Sequence, residues 1–153
     1  MYANSEGWPT REQWIRDNFP ELQSDAYEET SPQTSGYNCI AWAAEDTEKW
    51  WWPSPDSFWP LDSIGDETVE SFQRAFQTAR GYAVCEGGDP EQGFEKVAIF
   101  ARGQRVTHMA RQLQSEVWTS KLGSGWDISH KSLAGVNCSE YGEAVSFMRR
   151  PKP

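Results

Sequence analysis

The spacing of apolar positions changes along the chain, and each change marks an element. Thr10 followed three residues later by Gln13 forms a capping box, and Trp14 and Ile15 before Asn18-Phe19-Pro20 predict a short helix over residues 11–18, stopped by the proline. From Glu21 to Gly36 the residues are mainly Ser, Thr, Pro, Glu and Asp, which predicts a surface loop. In Tyr37-Asn38-Cys39-Ile40-Ala41-Trp42-Ala43-Ala44, Asn38 suits a helix cap and the apolar residues suit burial, so Cys39 becomes the first helical residue. Pro53, Pro55 and Pro60 forbid a regular element after it, leaving Trp50, Trp51, Trp52, Phe58 and Trp59 in an aromatic-rich loop.

Val69, Phe72, Phe76 and Ala79 recur at helical spacing behind Asp66, and Gly81 suits a left-handed C-terminal position, predicting a helix over 67–80. Strand-length runs follow at 82–85, 96–101, 106–113 and 117–122, joined by turns at Arg102-Gly103-Gln104 and Gln114-Ser115-Glu116 that require antiparallel neighbours. Gly123-Ser124-Gly125 opens a loop through Trp126 and His130, and Glu143 to Met148 reads as a last strand. Helices first and an antiparallel meander afterwards give an α+β domain.

Composition narrows the functional classes. A chain of 153 residues fits a single domain, 1–153, with 1–36 as an extension and 37–148 as the core. Nine Trp, seven Phe and five Tyr exclude general disorder. The net charge of −9 argues against a nucleic-acid partner, which needs a clustered basic face. No apolar run approaches the roughly 20 residues of a membrane span, and Met1 to Glu6 lacks the basic and apolar regions of a signal peptide, so a cytoplasmic address is expected. Cys39, Cys85 and Cys138 have no metal-like spacing; free thiols are expected, with no metal and no other cofactor.

A thiol at a helix start meets unpaired N–H groups that favour thiolate and can later hold an oxyanion, which makes Cys39 a candidate nucleophile; the alternative is a small buried hydrophobe. A cysteine nucleophile needs a base, and the chain offers His108 and His130. His108 lies near a strand start, where a rigid backbone aims an imidazole; His130 lies in the expected loop, either exposed or supporting the pair. The partner that orients His108 belongs on a neighbouring strand, where Ser120 shares a face with Trp118, and Thr119 with Val117 and Lys121. Spacing alone does not choose between those faces. Cys85 and Cys138 have no local histidine and read as structural. The aromatic loop either covers the core or lines a groove for a sugar or peptide.

The ordered set Tyr37-Asn38-Cys39-Ile40-Ala41-Trp42-Ala43, Thr107-His108, Trp118-Thr119-Ser120-Lys121-Leu122-Gly123, Ile128-Ser129-His130 and Tyr141-Gly142 resembles a group of bacterial domains similar to the CHAP and NlpC-type papain-like cysteine hydrolases. The pattern covers 37–142. The resemblance implies a papain-like α+β core with N-terminal helices packed on an antiparallel sheet, Cys39 as nucleophile, His108 as base, and Ser120 or His130 as the third catalytic residue. Tyr37, Asn38, Trp42 and Trp118 then flank the site as substrate contacts. The function implied is amide hydrolysis or acyl transfer on a peptide or other amide substrate. The alternative is an inactive binding or regulatory protein on the same scaffold, recognising a protein or glycan partner.

Overall fold

The computed structural model describes residues 17, 19, 27–31, 36–61, 66–113, 117–121, 127–130, 133 and 141–152. Its strands are β1 (Tyr27–Ser31), β2 (Ala83–Cys85), β3 (Phe94–Arg102), β4 (Arg105–Gln112), β5 (Trp118–Lys121), β6 (Asp127–His130) and β7 (Glu143–Pro151). Its helices are α1 (Cys39–Ala43) and α2 (Val69–Arg80). All seven strands join one antiparallel sheet in the order β1-β6-β5-β4-β3-β7-β2.

This arrangement corrects the papain-like α+β expectation of N-terminal helices packed on a sheet: the protein is mostly β. Two stretches read as loop are strands. Tyr27–Ser31 and Asp127–His130 pair with each other, and β6 also pairs with β5, so His130 sits on a strand. Their turn-rich flanks concealed them, because pairing with a distant partner overrides local preference. The helical part is small: α1 has 5 residues and α2 has 12. The helix expected over 11–18 lies outside the described residues apart from Asp17, as do the turns at 114–116 and 123–125, Trp126 and Cys138. No helix among the described residues is long and apolar enough to cross a membrane.

Strand alternation sorts the core onto the two faces of the sheet. Val97, Ile99, Met109 and Met148 lie on one face, beneath α1, α2 and the aromatic loop. Ala98, Phe100, Ala110, Trp118 and Ile128 lie on the other, with Phe19. α2 reaches the first face through Phe72, Ala75 and Phe76, the i, i+3, i+4 stripe of an amphipathic helix. Thr68 caps its start, Asp66 accepts from the Thr68 and Ser71 hydroxyls, and Gly81 closes its end at φ 73°. The aromatic loop joins the core rather than standing off it: Trp51 is buried, its ring 6.1 Å from Phe76, while Trp52 and Trp59 set their edges on Phe72.

Asn38 fastens α1 to that loop. Its Oδ1 accepts from the N–H of Ala41 at 3.0 Å and of Trp51 at 3.2 Å, and its Nδ2 donates to Trp51 O at 2.7 Å. Replacing it removes the cap and strands two buried backbone groups. Asn38→Ala is therefore expected to lower the unfolding free energy by about 3 kcal/mol in urea titrations, and a loss below 0.5 kcal/mol would show that the carboxamide does not organise α1.

Candidate active site

The candidate site starts from an interruption in the sheet. β4 and β5 pair only at Arg111↔Thr119 and Gln112↔Trp118. The N–H of Leu113 donates to Val117 O, and Thr119 Oγ1 donates to Arg111 O, so alternate residues of β4 turn their backbone groups toward β5. Met109 is the next in that series, and its N–H lies against the Cys39 sulfur. The thiol thus takes the place of a strand partner where the ladder opens.

Cys39 belongs to the first core cluster and is 7 % exposed. Burial pushes its thiol up to about 11, against the lowering pull of the Met109, Ile40 and Cys39 N–H groups and of the Lys121 charge. The helix start therefore does not hold a resting thiolate, because desolvation exceeds what those N–H groups return. Lys121 is fully buried on this same face, its Nζ 5.4 Å from the Tyr37 ring centroid. Spacing along the chain assigns Lys121 no role, although its parity with Thr119 is visible. Tyr37 stacks on Trp42 at 6.2 Å; Trp42 donates through Nε1 to Thr119 Oγ1, and Arg111 lies over the Trp42 ring at 4.1 Å. Tyr37, Asn38 and Trp42 are thus gathered around Cys39, whereas Trp118 packs on the opposite face.

His108, Ser120 and His130 form a second group. All three are buried, at 0 %, 0 % and 1 % exposure. Ser120 Oγ lies 3.0 Å from His108 Nε2 and 2.9 Å from His130 Nε2, so one hydroxyl bridges two imidazoles. The face left open by the spacing is settled: Ser120, not Thr119, meets His108. Burial first, and the charge of His130 second, hold the His108 imidazole well below its ordinary value, so it is neutral at pH 7. Its ring stacks on Tyr141 with centroids 4.1 Å apart and planes 8° apart, and meets Phe100 edge-on at 5.2 Å. Gly142 makes the stack possible: it has φ 70°, and an added Cβ would stand 2.2 Å from Ala101 O, so only glycine lets the chain pass with Tyr141 over the imidazole.

The two groups are neighbours without being bonded. His108 faces the side of Phe100 and Tyr141, while Met109, one residue on, shares the face of Cys39. No hydrogen bond joins Cys39 to His108; His108 Nδ1 is buried without a partner. Val106 and Thr107, which precede His108, line a cleft of about 560 Å³ with Trp52, Arg102, Arg105 and Tyr141. Thr107 donates through Oγ1 to Tyr141 O and ties the stacked ring to this wall. No metal-binding group of three or more His, Cys, Asp or Glu occurs among the described residues. Cys85 is a free thiol elsewhere, on β2.

The profile of a domain of unknown function, DUF7689, matches residues 28–149. No curated protein and no solved structure matches the chain.

The thiol makes stability depend on pH. An unfolded cysteine ionises near 8.5 and the folded one near 11, so the native state keeps its full advantage below the unfolded value and loses it as the pH climbs through that window. Between pH 8 and 11 the wild type is expected to lose about 3 kcal/mol more stability than Cys39→Ala, read from urea midpoints. Parallel curves for the two proteins would show that Cys39 is not desolvated.

Proposed function

The chain belongs to the DUF7689 family, and we propose that it is a cysteine-dependent amide hydrolase or acyl-transfer enzyme in which Cys39 attacks and His108 carries the proton. The observation that carries this reading is the state of the His108 ring. Its Nε2 is held by Ser120, which is backed by His130, and its Nδ1 has no partner. A neutral imidazole fixed from one nitrogen and unclaimed at the other is what a thiol nucleophile requires of its base. Ser120 and His130 act here as positioning residues, one behind the other.

The proton route follows from the burial of both groups. With the thiol near 11 and the imidazole neutral, the resting pair is uncharged. Sulfur becomes nucleophilic only as its proton passes to Nδ1, which requires the two side chains to meet across β4, while the S–C bond to the substrate carbonyl forms. The imidazolium returns that proton to the leaving amine as the C–N bond breaks. Water, or another acceptor, then attacks the thioester while Nδ1 takes its proton, releasing the acyl product and restoring the thiol. The N–H groups of Cys39 and Ile40, which lie against the sulfur, support the oxyanion.

A second reading, a non-catalytic protein that binds a protein or glycan partner, is favoured by one observation: the thiol is buried and its ionisation is displaced upward, as in an inert cysteine. Acylation separates the two. With p-nitrophenyl acetate at pH 7.5, intact-mass and peptide mapping is expected to show acetyl on Cys39 ahead of Cys85. His108→Ala is expected to slow that step by about 100-fold or more. Acetylation of Cys39 no faster than that of Cys85, or unchanged by His108→Ala, would leave the binding protein as the reading to keep.

A further inference from the structure

We infer that the cleft at the turn between β3 and β4 binds a single carboxylate, which, resting on the thiol chemistry proposed above, makes the substrate class acidic peptides. The cleft is built where Arg102 ends β3 and Arg105 begins β4, so the tight turn brings two guanidinium groups to one rim. They are not equivalent. Glu67 takes Arg105 Nε at 2.6 Å and holds the Trp52 indole N–H at 3.1 Å, which fixes both groups in the wall and neutralises Arg105. Arg102 has no ion pair and no hydrogen bond among the described residues. Among the described residues the rim therefore carries one positive charge without an ion-pair partner, in a chain whose net charge is −9.

That charge balance selects the ligand. A carboxylate matches one free guanidinium in charge and in its two-pronged geometry, whereas a phosphate dianion would leave a negative charge unmatched beside Glu67. The rest of the lining is suited to the chain that bears the carboxylate: Trp52 and Tyr141 offer ring surfaces, and Thr107 and Val106 continue directly into His108. A side chain anchored on Arg102 thus lies beside Val106 and Thr107, the two residues that precede the base. The volume of about 560 Å³ accommodates a few residues of extended peptide rather than a folded partner.

The test is a binding measurement on Cys39→Ala protein, in which no turnover occurs, so that failure of the acylation experiment and failure of this one are separate results. Acetyl-Ala-Glu-Ala-amide and acetyl-Ala-Gln-Ala-amide are titrated by amide-proton NMR, and Arg102→Gln is added as a second variant because Arg102 is exposed and its loss leaves the core intact. The glutamate peptide is expected to bind about tenfold more tightly than the glutamine peptide, and Arg102→Gln is expected to abolish the difference. Equal affinities, or a preference that survives Arg102→Gln, would overturn the assignment. So would tighter binding of inorganic phosphate than of the glutamate peptide at the same resonances.

Discussion

The position of Cys39 depends on the carboxamide of Asn38. α1 is far too short to persist on its own, since a helix of that length gains too few hydrogen bonds to offset nucleation. Asn38 supplies the missing constraint by accepting from the first turn and from Trp51 while donating back to Trp51. The loop it grips is itself anchored through Trp51 against Phe76, and Arg80 from the end of α2 reaches over to Ala44 O. One polar side chain thereby sets where the thiol lies relative to the sheet. The opening between β4 and β5 follows from that placement, because the sulfur stands where Met109 would find a strand partner.

The sheet separates two chemically different interiors. On the face of α1 a cysteine, a buried lysine and a run of aromatic rings share one layer; on the other, two imidazoles and a hydroxyl are enclosed by Phe100, Tyr141 and Trp118. Buried polar groups are costly unless paired, and in the second layer the Nε2 atoms of both imidazoles are paired through Ser120. The exception is His108 Nδ1, which is buried without a partner. An unmet hydrogen bond kept at that nitrogen is the kind of local cost that functional sites carry.

Much of this was legible in the residues. Val69, Phe72 and Phe76 at helical spacing and Gly81 behind them located α2, and the strand-length runs at 96–101 and 106–113, joined by the turn Arg102-Gly103-Gln104, located the central hairpin. Asn38 before Cys39 announced the cap. What could not be read locally was pairing at a distance. Tyr27–Ser31 resembles a loop because its strand character is supplied by β6, and β6 in turn hid within a turn-rich segment. That one misreading put His130 in a loop and made the fold look more helical than it is. The candidate site suffered in the same way: His108, Ser120 and Lys121 could be named, but which face each shares is a matter of register, and register is fixed by neighbouring strands. The raised thiol follows from burial, which sequence spacing does not quantify, and the free guanidinium of Arg102 is defined by where Glu67 points.

Ser120 has one hydroxyl proton and stands between two nitrogens that each need a hydrogen bond. It can donate to only one ring, so at least one of the two imidazoles donates to it. In one arrangement His108 bears its proton on Nδ1 and has no lone pair to offer the thiol. In the other, Nε2 of His108 donates to Ser120, Ser120 donates to His130, and Nδ1 is basic. A proton on His130 Nε2 frees the hydroxyl to turn toward His108 and lets the His108 proton settle on Nδ1, without any atom near Cys39 having moved.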